Sequence, residues 1–204
     1  PELIKMLEDE YFSSNYNIRS MLRVLFNSDH FKSQDARFTK VKSPAEVVVG
    51  TLHLLGDFKF PKRTIFETAL GCRYMGQDLL NPPSVEGWHT GEEWIDSGSL
   101  VERVNFVADQ VGNISQPGVR AMVDALLSKT AELDPLSIID GCLELMGHVQ
   151  LHEKNKEHLA AQIRTMLDQR SSFVAGSAED IESAEKTILH SMKMIGSTRE
   201  YQFA

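Results

Sequence analysis

Helix-start and helix-stop signals recur along this chain in step with an apolar period of three to four residues, and they leave little room for any other regular structure. The clearest is Ser43-Pro44-Ala45-Glu46, which combines a hydroxyl cap, a proline in the first turn where no amide donor is needed, and a carboxylate able to reach back to the cap amide. It predicts a helix from about Pro44 to Leu55, stopped by Gly56. Asn17 stands ahead of Ile18, Met21, Leu22, Leu25 and Phe26, whose spacing gathers them on one helical face. Thr64 with Glu67 predicts a helix through Tyr74 or Met75, before Gly76, and Ser99 with Glu102 predicts another through about Val111, before Gly112 and Asn113. In the second half, helices are expected from about Pro117 to Ala131, from Pro135 behind an Asp134 cap to Met146, from about His152 to Gln169, and from Ala178, capped by Ser177, to Met194 or Ile195. The expectation is an all-α chain of at least six helices. It forms either a multi-helix bundle or two small lobes, residues 1–112 and 113–204, with Asn113 to Pro117 as their junction.

Length and charge narrow the function classes. A chain of 204 residues can bury a full core, and 42% hydrophobic with 25% charged residues is the make-up of a packed globular protein. No apolar run approaches the roughly 18 residues that a spanning helix needs, so no membrane-spanning segment is expected. A net charge of -8 repels a phosphate backbone, and nucleic acid is excluded as a partner. The nearest basic group, Lys32, Arg37, Lys40 and Lys42, followed by Lys59, Lys62 and Arg63, lies in loop-like sequence without interleaved aromatic platforms. Cys72 and Cys142 fall in helical patterns without a CxxC partner, which points to buried free thiols rather than zinc or a disulfide framework. The chain opens on Pro1 with no basic region leading into an apolar stretch, so a native N-terminus is expected to be missing.

One long stretch lacks helical period. From Asp78 to Gly98 it holds Pro82, Pro83, Gly87, Gly91 and both tryptophans, Trp88 and Trp94. The prolines force extended backbone, the glycines allow turns, and each indole offers a large apolar body with one N–H that wants a partner. An ordered Pro/Gly/Trp loop folded back onto the helices is the leading reading, and a binding surface presented by that loop is the other.

At this loop the sequence resembles a known family. The run MGQDLLNPPSVEGWHTGEEWIDSGSLVERVNF, from Met75 to Phe106, is similar to the signature of the bacterial domain of unknown function 1800 family, with its GQ, PP, GW, G, W and R progression. Upstream, LRVLFNSDHF at Leu22 to Phe31 and KVKSPAEVVVGTLHLLG at Lys40 to Gly56 resemble the family's segments ahead of and within its Lys-Ser-Pro helix. Downstream, MKMIGSTREYQ at Met192 to Gln202 resembles its terminal motif, with Thr198-Arg199 in place of a single proline. The resemblance implies the C-terminal part of a longer bacterial protein, whose missing N-terminal part would be a partner for this one, and an exported or cell-envelope setting. It supplies no catalytic residue.

Candidate chemistry is thin along the chain. His89, Glu92 and Glu93 are suitable metal-ligand types, but HTGEEW lacks the HExxH spacing and adjacent glutamates diverge on a helix, so no metal and no cofactor is expected. His148 and His152 are four apart, yet Gly147 ends a helix ahead of them. No GxSxG elbow surrounds a serine, and Ser84 beside His89 is not a triad. Glu8, Asp9 and Glu10 read as hydrated terminal acids. Arg103, one turn into its helix, can brace Glu86, Glu92, Glu93 or Asp96. The candidate binding residues are therefore Trp88, His89, Glu92, Glu93, Trp94 and Arg103. The expected function is a non-enzymatic helical scaffold or interaction domain, against two alternatives: part of an exported hydrolase-like enzyme, or a carbohydrate- or cell-wall-binding module using the tryptophan loop.

Overall fold

The structure is a computed structural model, and it describes residues 2–56, 64–129, 134–147, 149–168 and 178–203. Its regular structure is helical. The only β-type pairings among the described residues are two isolated bridges, Val41 with Phe203 and Ser84 with Gly87. The chain divides into two compact units, residues 1–41 with 203–204, and residues 42–202.

The first unit is a helical hairpin, α1 (Glu2–Ser13) and α2 (Ile18–Asn27), followed by the single turn α3 (Asp29–Lys32). The chain reverses at Asn15 and Tyr16, both at positive φ, and the Asn17 side chain accepts the Ser20 amide as expected of a cap. The α1 helix has no counterpart in the sequence reading: Glu8 and Asp9 lie within it as exposed, hydrated acids, whereas Glu10 turns to α2 and takes the Ser20 hydroxyl. No residue of these three helices is fully buried.

The second unit holds α4 (Pro44–Leu55), α5 (Thr64–Tyr74), α6 (Ser97–Val111), α7 (Pro117–Lys129), α8 (Pro135–Leu145), α9 (Glu153–Asp168) and α10 (Ala178–Gly196), and it ends in a 3₁₀ turn at Glu200–Gln202. Asp134 caps α8 through the Ser137 amide, whereas the expected Ser177 cap of α10 lies outside the described residues. Apolar residues at helical spacing converge on one core: Val47 and Leu55 of α4, Val107 of α6, Ile139 of α8, Ile163 of α9 and Ile188 of α10 all belong to it. Val111 and Val119 also belong to it, so the core runs across the Asn113 to Pro117 connection. The start of α7 sits hard against the end of α4, where a β-carbon on Gly118 would lie 2.5 Å from the Leu55 carbonyl oxygen. Val48, Cys72 and Met75 form a smaller cluster where α4 meets α5.

Candidate functional site

The tryptophan loop is tied down at both ends. At its start Gly76 adopts φ +97, closing α5 so that the Gln77 amide donates to the Cys72 carbonyl at 2.8 Å. The Gln77 side chain then turns back, and its Oε1 accepts the Ala45 amide at 2.8 Å. That bond completes the first turn of α4. Pro44 has no donor, Ala45 is held by Gln77, Glu46 by the Ser43 hydroxyl at 3.3 Å, and Val47 by the Ser43 carbonyl at 3.0 Å, while the Glu46 carboxylate takes the Ser43 amide at 2.7 Å.

At its other end the loop runs through a 3₁₀ turn, Gly91–Trp94, into α6. The cap is Asp96, earlier than Ser99. Asp96 Oδ1 accepts both the Gly98 and Ser99 amides at 2.8 and 2.9 Å, and the Ser99 hydroxyl lies against the Asp96 amide at 3.1 Å and donates to the Trp94 carbonyl at 2.8 Å. Asp96 Oδ1 alone satisfies both of these amides, so the helix starts where the aspartate stands and Ser99 serves as the returning arm of the box. The amides of Ser99 and Gly98 and the Ser99 hydroxyl draw the Asp96 carboxyl below its usual range.

Between these anchors the residues separate by burial. Trp94 is only 6% exposed. Trp88 is half-buried, and its indole N–H is enclosed without a partner among the described residues. His89 Nδ1 lies 3.0 Å from Glu93 Oε2, with its ring edge-on to Trp94 at 6.5 Å between centroids, so His89, Glu93 and Trp94 come together while Glu92 points outward as an exposed side chain. Both members of the His89–Glu93 pair are well exposed, and a surface pair of this kind adds little stability. Ser84 turns its hydroxyl to the Glu86 amide at 3.2 Å, an ordinary turn bond. Pro82, Pro83, Ser84 and Glu86 are exposed, and at the tip Leu80 is 95% exposed at φ +64, flanked by exposed Leu79 and Val85.

Arg103 does not reach this surface. It is completely buried, and its Nη1 donates to the Lys42 carbonyl at 2.8 Å. Burial lowers its pKa, and the Asp96 carboxylate opposes that shift. Lys42 is the meeting point of several segments: its amide donates to the Gln202 carbonyl at 2.8 Å, its ammonium donates to the Tyr201 carbonyl at 2.8 Å, and the same ammonium stands 4.6 Å from the Tyr201 ring centroid. The Lys-Ser-Pro segment, the helix after the tryptophan loop and the terminal Glu-Tyr-Gln thus close on one backbone position. Sequence reasoning places none of Lys42, Gln77 or Tyr201 in a site. Their signal is positional, since all three stand in the segments that carry the family resemblance.

Elsewhere the chemistry is sparse. His152 precedes α9, where its amide approaches Glu200 Oε1 at 3.4 Å, and the same oxygen accepts from Asn155 at 2.7 Å; His148 lies outside the described residues. Among the described residues no group of three or more histidine, cysteine, aspartate or glutamate side chains could hold a metal ion, and no helix is long and apolar enough to cross a membrane. An open groove of about 670 Å³ runs beside α1, lined by Glu2, Lys5, Asp9 and Glu10 with Met6 and Val24.

A family model described as "Protein of unknown function (DUF1800)" matches residues 1–202, and the chain belongs to that family. No curated protein and no solved structure matches it.

Proposed function

We propose that this member of the family is a non-enzymatic helical scaffold whose tryptophan loop is a contact surface for another protein. The observation that carries this reading is the tip itself. Leu80 and Val85 are presented to solvent at the end of a segment whose base is fixed by Gln77, Trp94 and Asp96. A large apolar side chain held outward on an anchored loop, at a backbone angle that branched and bulky residues rarely adopt, gains nothing for the fold and suits a binding role. The buried Trp94 supports a structural use of that indole rather than a sugar platform, and the exposed His89–Glu93 pair has no nucleophile within its bonding reach among the described residues.

The test is position-specific photo-crosslinking in the cells that make the protein, with the reactive side chain placed at Leu80, at Val85, or at the exposed control position Glu144. A discrete protein adduct from both tip positions and none from the control is expected. Equal labelling at all three positions, or none at the tip, would remove the loop from consideration as a contact surface.

A further inference from the structure

Buried polar atoms without a bonding partner gather around Lys42. Among the described residues, Arg103 leaves Nε and Nη2 unbonded and Gln202 leaves Oε1 and Nε2 unbonded. Both residues hang on the same neighbour: Arg103 Nη1 donates to the Lys42 carbonyl at 2.8 Å, and the Lys42 amide donates to the Gln202 carbonyl at 2.8 Å. All three belong to the second unit. Arg103 is 0% exposed and Gln202 1%, so neither side chain meets bulk water. Which guanidinium nitrogen is already engaged decides what the others can hold. The donors of an arginine lie in one plane, and the bond to Lys42 uses only Nη1. Nε and Nη2 are the two nitrogens of the side edge, whose parallel N–H groups are spaced to meet both oxygens of one carboxylate. The chain's own acids do not take that edge. Asp96 acts on the guanidinium by charge while its Oδ1 holds the Gly98 and Ser99 amides, and Glu46, which attracts Lys42, takes the Ser43 amide. Charge is thus offset at a distance, but two N–H donors stay unbonded in a place where an unmet donor is costly.

We infer that the side edge of Arg103 is a binding site for a small monocarboxylate, of formate or acetate size, held by paired hydrogen bonds from Nε and Nη2. Enclosure sets the size. An acid of more than a few heavy atoms does not fit where the guanidinium is wholly shielded from solvent, and the ion enters by local opening. A ligand of three or four heavy atoms binds at roughly millimolar strength at best. Because it binds the folded chain alone, it stabilises the closure of the Lys-Ser-Pro segment, α6 and the terminal Glu-Tyr-Gln on one another.

The Nε–H nuclear magnetic resonance signal of Arg103 reports on this edge directly. In the whole chain labelled with nitrogen-15, sodium formate raised to about 100 mM, with sodium chloride holding ionic strength constant, should move that signal along a saturable curve. The midpoint should fall at roughly 1–20 mM, and the signals of the exposed Arg19 and Arg23 should stay in place. The same formate should raise the melting temperature by roughly 2–10 °C over equal chloride. Benzoate, too bulky to be enclosed, should do neither. Arg103→Lys keeps the charge and loses the paired edge, so its melting temperature should respond to formate no more than to chloride. Arg103→Met should behave alike and guards against a folding defect in the lysine variant. An Arg103 signal that stays still through the titration means that water alone meets the edge, and it overturns the inference. So does a rise in melting temperature that chloride or benzoate matches in the parent, or one that survives in either folded variant.

Discussion

Arg103 donates from Nη1 to the main-chain oxygen of Lys42 across 61 positions of sequence, and through that carbonyl it joins the helix after the tryptophan loop to the strap on which the terminal Tyr201 and Gln202 hang. Its Nε and Nη2 find no partner among the described residues. Replacement by alanine removes the bond and leaves a void in a fully buried place, which should cost about 2–5 kcal/mol. Methionine keeps most of the volume and loses chiefly the bond, so Arg103→Met should cost about 1–3 kcal/mol and fall clearly short of alanine. Denaturant unfolding of both variants gives the order; an Arg103→Ala as stable as the parent would remove the residue's structural role.

Cys142 gives a pH dependence whose sign is set by burial. Loss of water around the thiol pushes its pKa up to about 12, far above an ordinary cysteine. In the unfolded chain the thiol ionises in its ordinary range near about 8.5, so the folded state is favoured fully below that and loses ground as pH rises toward 12. Two consequences can be measured. In native protein an aromatic disulfide reagent at mildly alkaline pH should leave Cys142 untouched, and Cys72, also buried, should lag until denaturant is added. The Cys142→Ala variant, although less stable overall, should show a flatter decline of stability above about pH 9. Rapid labelling of both thiols in the native state would contradict the burial.

The helices are legible in sequence because their signals are local. A proline, a cap and a carboxylate three residues on act within one turn: all three open α4, a cap and a proline open α8, and α7 starts at its proline. The start of α6 is misread because Asp96 and Ser99 offer rival caps and the sequence does not show which side chain can reach two amides at once. Gln77 on Ala45 and Arg103 on Lys42 are illegible for a different reason. They join positions 32 and 61 residues apart, and nothing periodic marks a bond to a distant main-chain atom. The exposure of Leu80 is equally hidden, because an apolar residue in an irregular segment reads as buried until the tertiary fold turns it outward.

Two glycines separate packing from propensity. A β-carbon at Gly118 would sit 2.5 and 2.6 Å from the carbonyl oxygens of Leu55 and Leu54, rigid main-chain atoms that cannot swing aside. Gly118→Ala must drive α7 away from the end of α4, opening a core that includes Val119 and Leu55, and a loss of about 2–4 kcal/mol is expected. Gly50, in the middle of α4, has nothing within 4 Å of its would-be β-carbon, so Gly50→Ala should stabilise by about 0.5–1 kcal/mol through helix propensity alone. Thermal unfolding of the pair should move in opposite directions; a neutral Gly118→Ala would mean that α7 and α4 approach less tightly than these distances require.

The tryptophans should prove unequal. Trp94 is buried with the His89 ring edge-on to it, and its carbonyl receives the Ser99 hydroxyl, so truncation empties the anchor of the loop and disturbs the α6 cap together. Trp94→Ala should cost about 3–5 kcal/mol, a large part of a typical stability of about 5–15 kcal/mol. Trp88 is only half-buried, and its indole nitrogen is enclosed without a bond among the described residues, so its removal relieves one unmet donor while losing less apolar contact. Trp88→Ala should therefore cost less than half as much. Fluorescence checks the same inequality without unfolding: acrylamide should quench the Trp94→Phe variant, in which only Trp88 emits, more readily than Trp88→Phe, in which only Trp94 emits. Equal quenching with equal losses of stability would show that both indoles share the anchoring, and greater quenching of Trp94 would reverse the assignment.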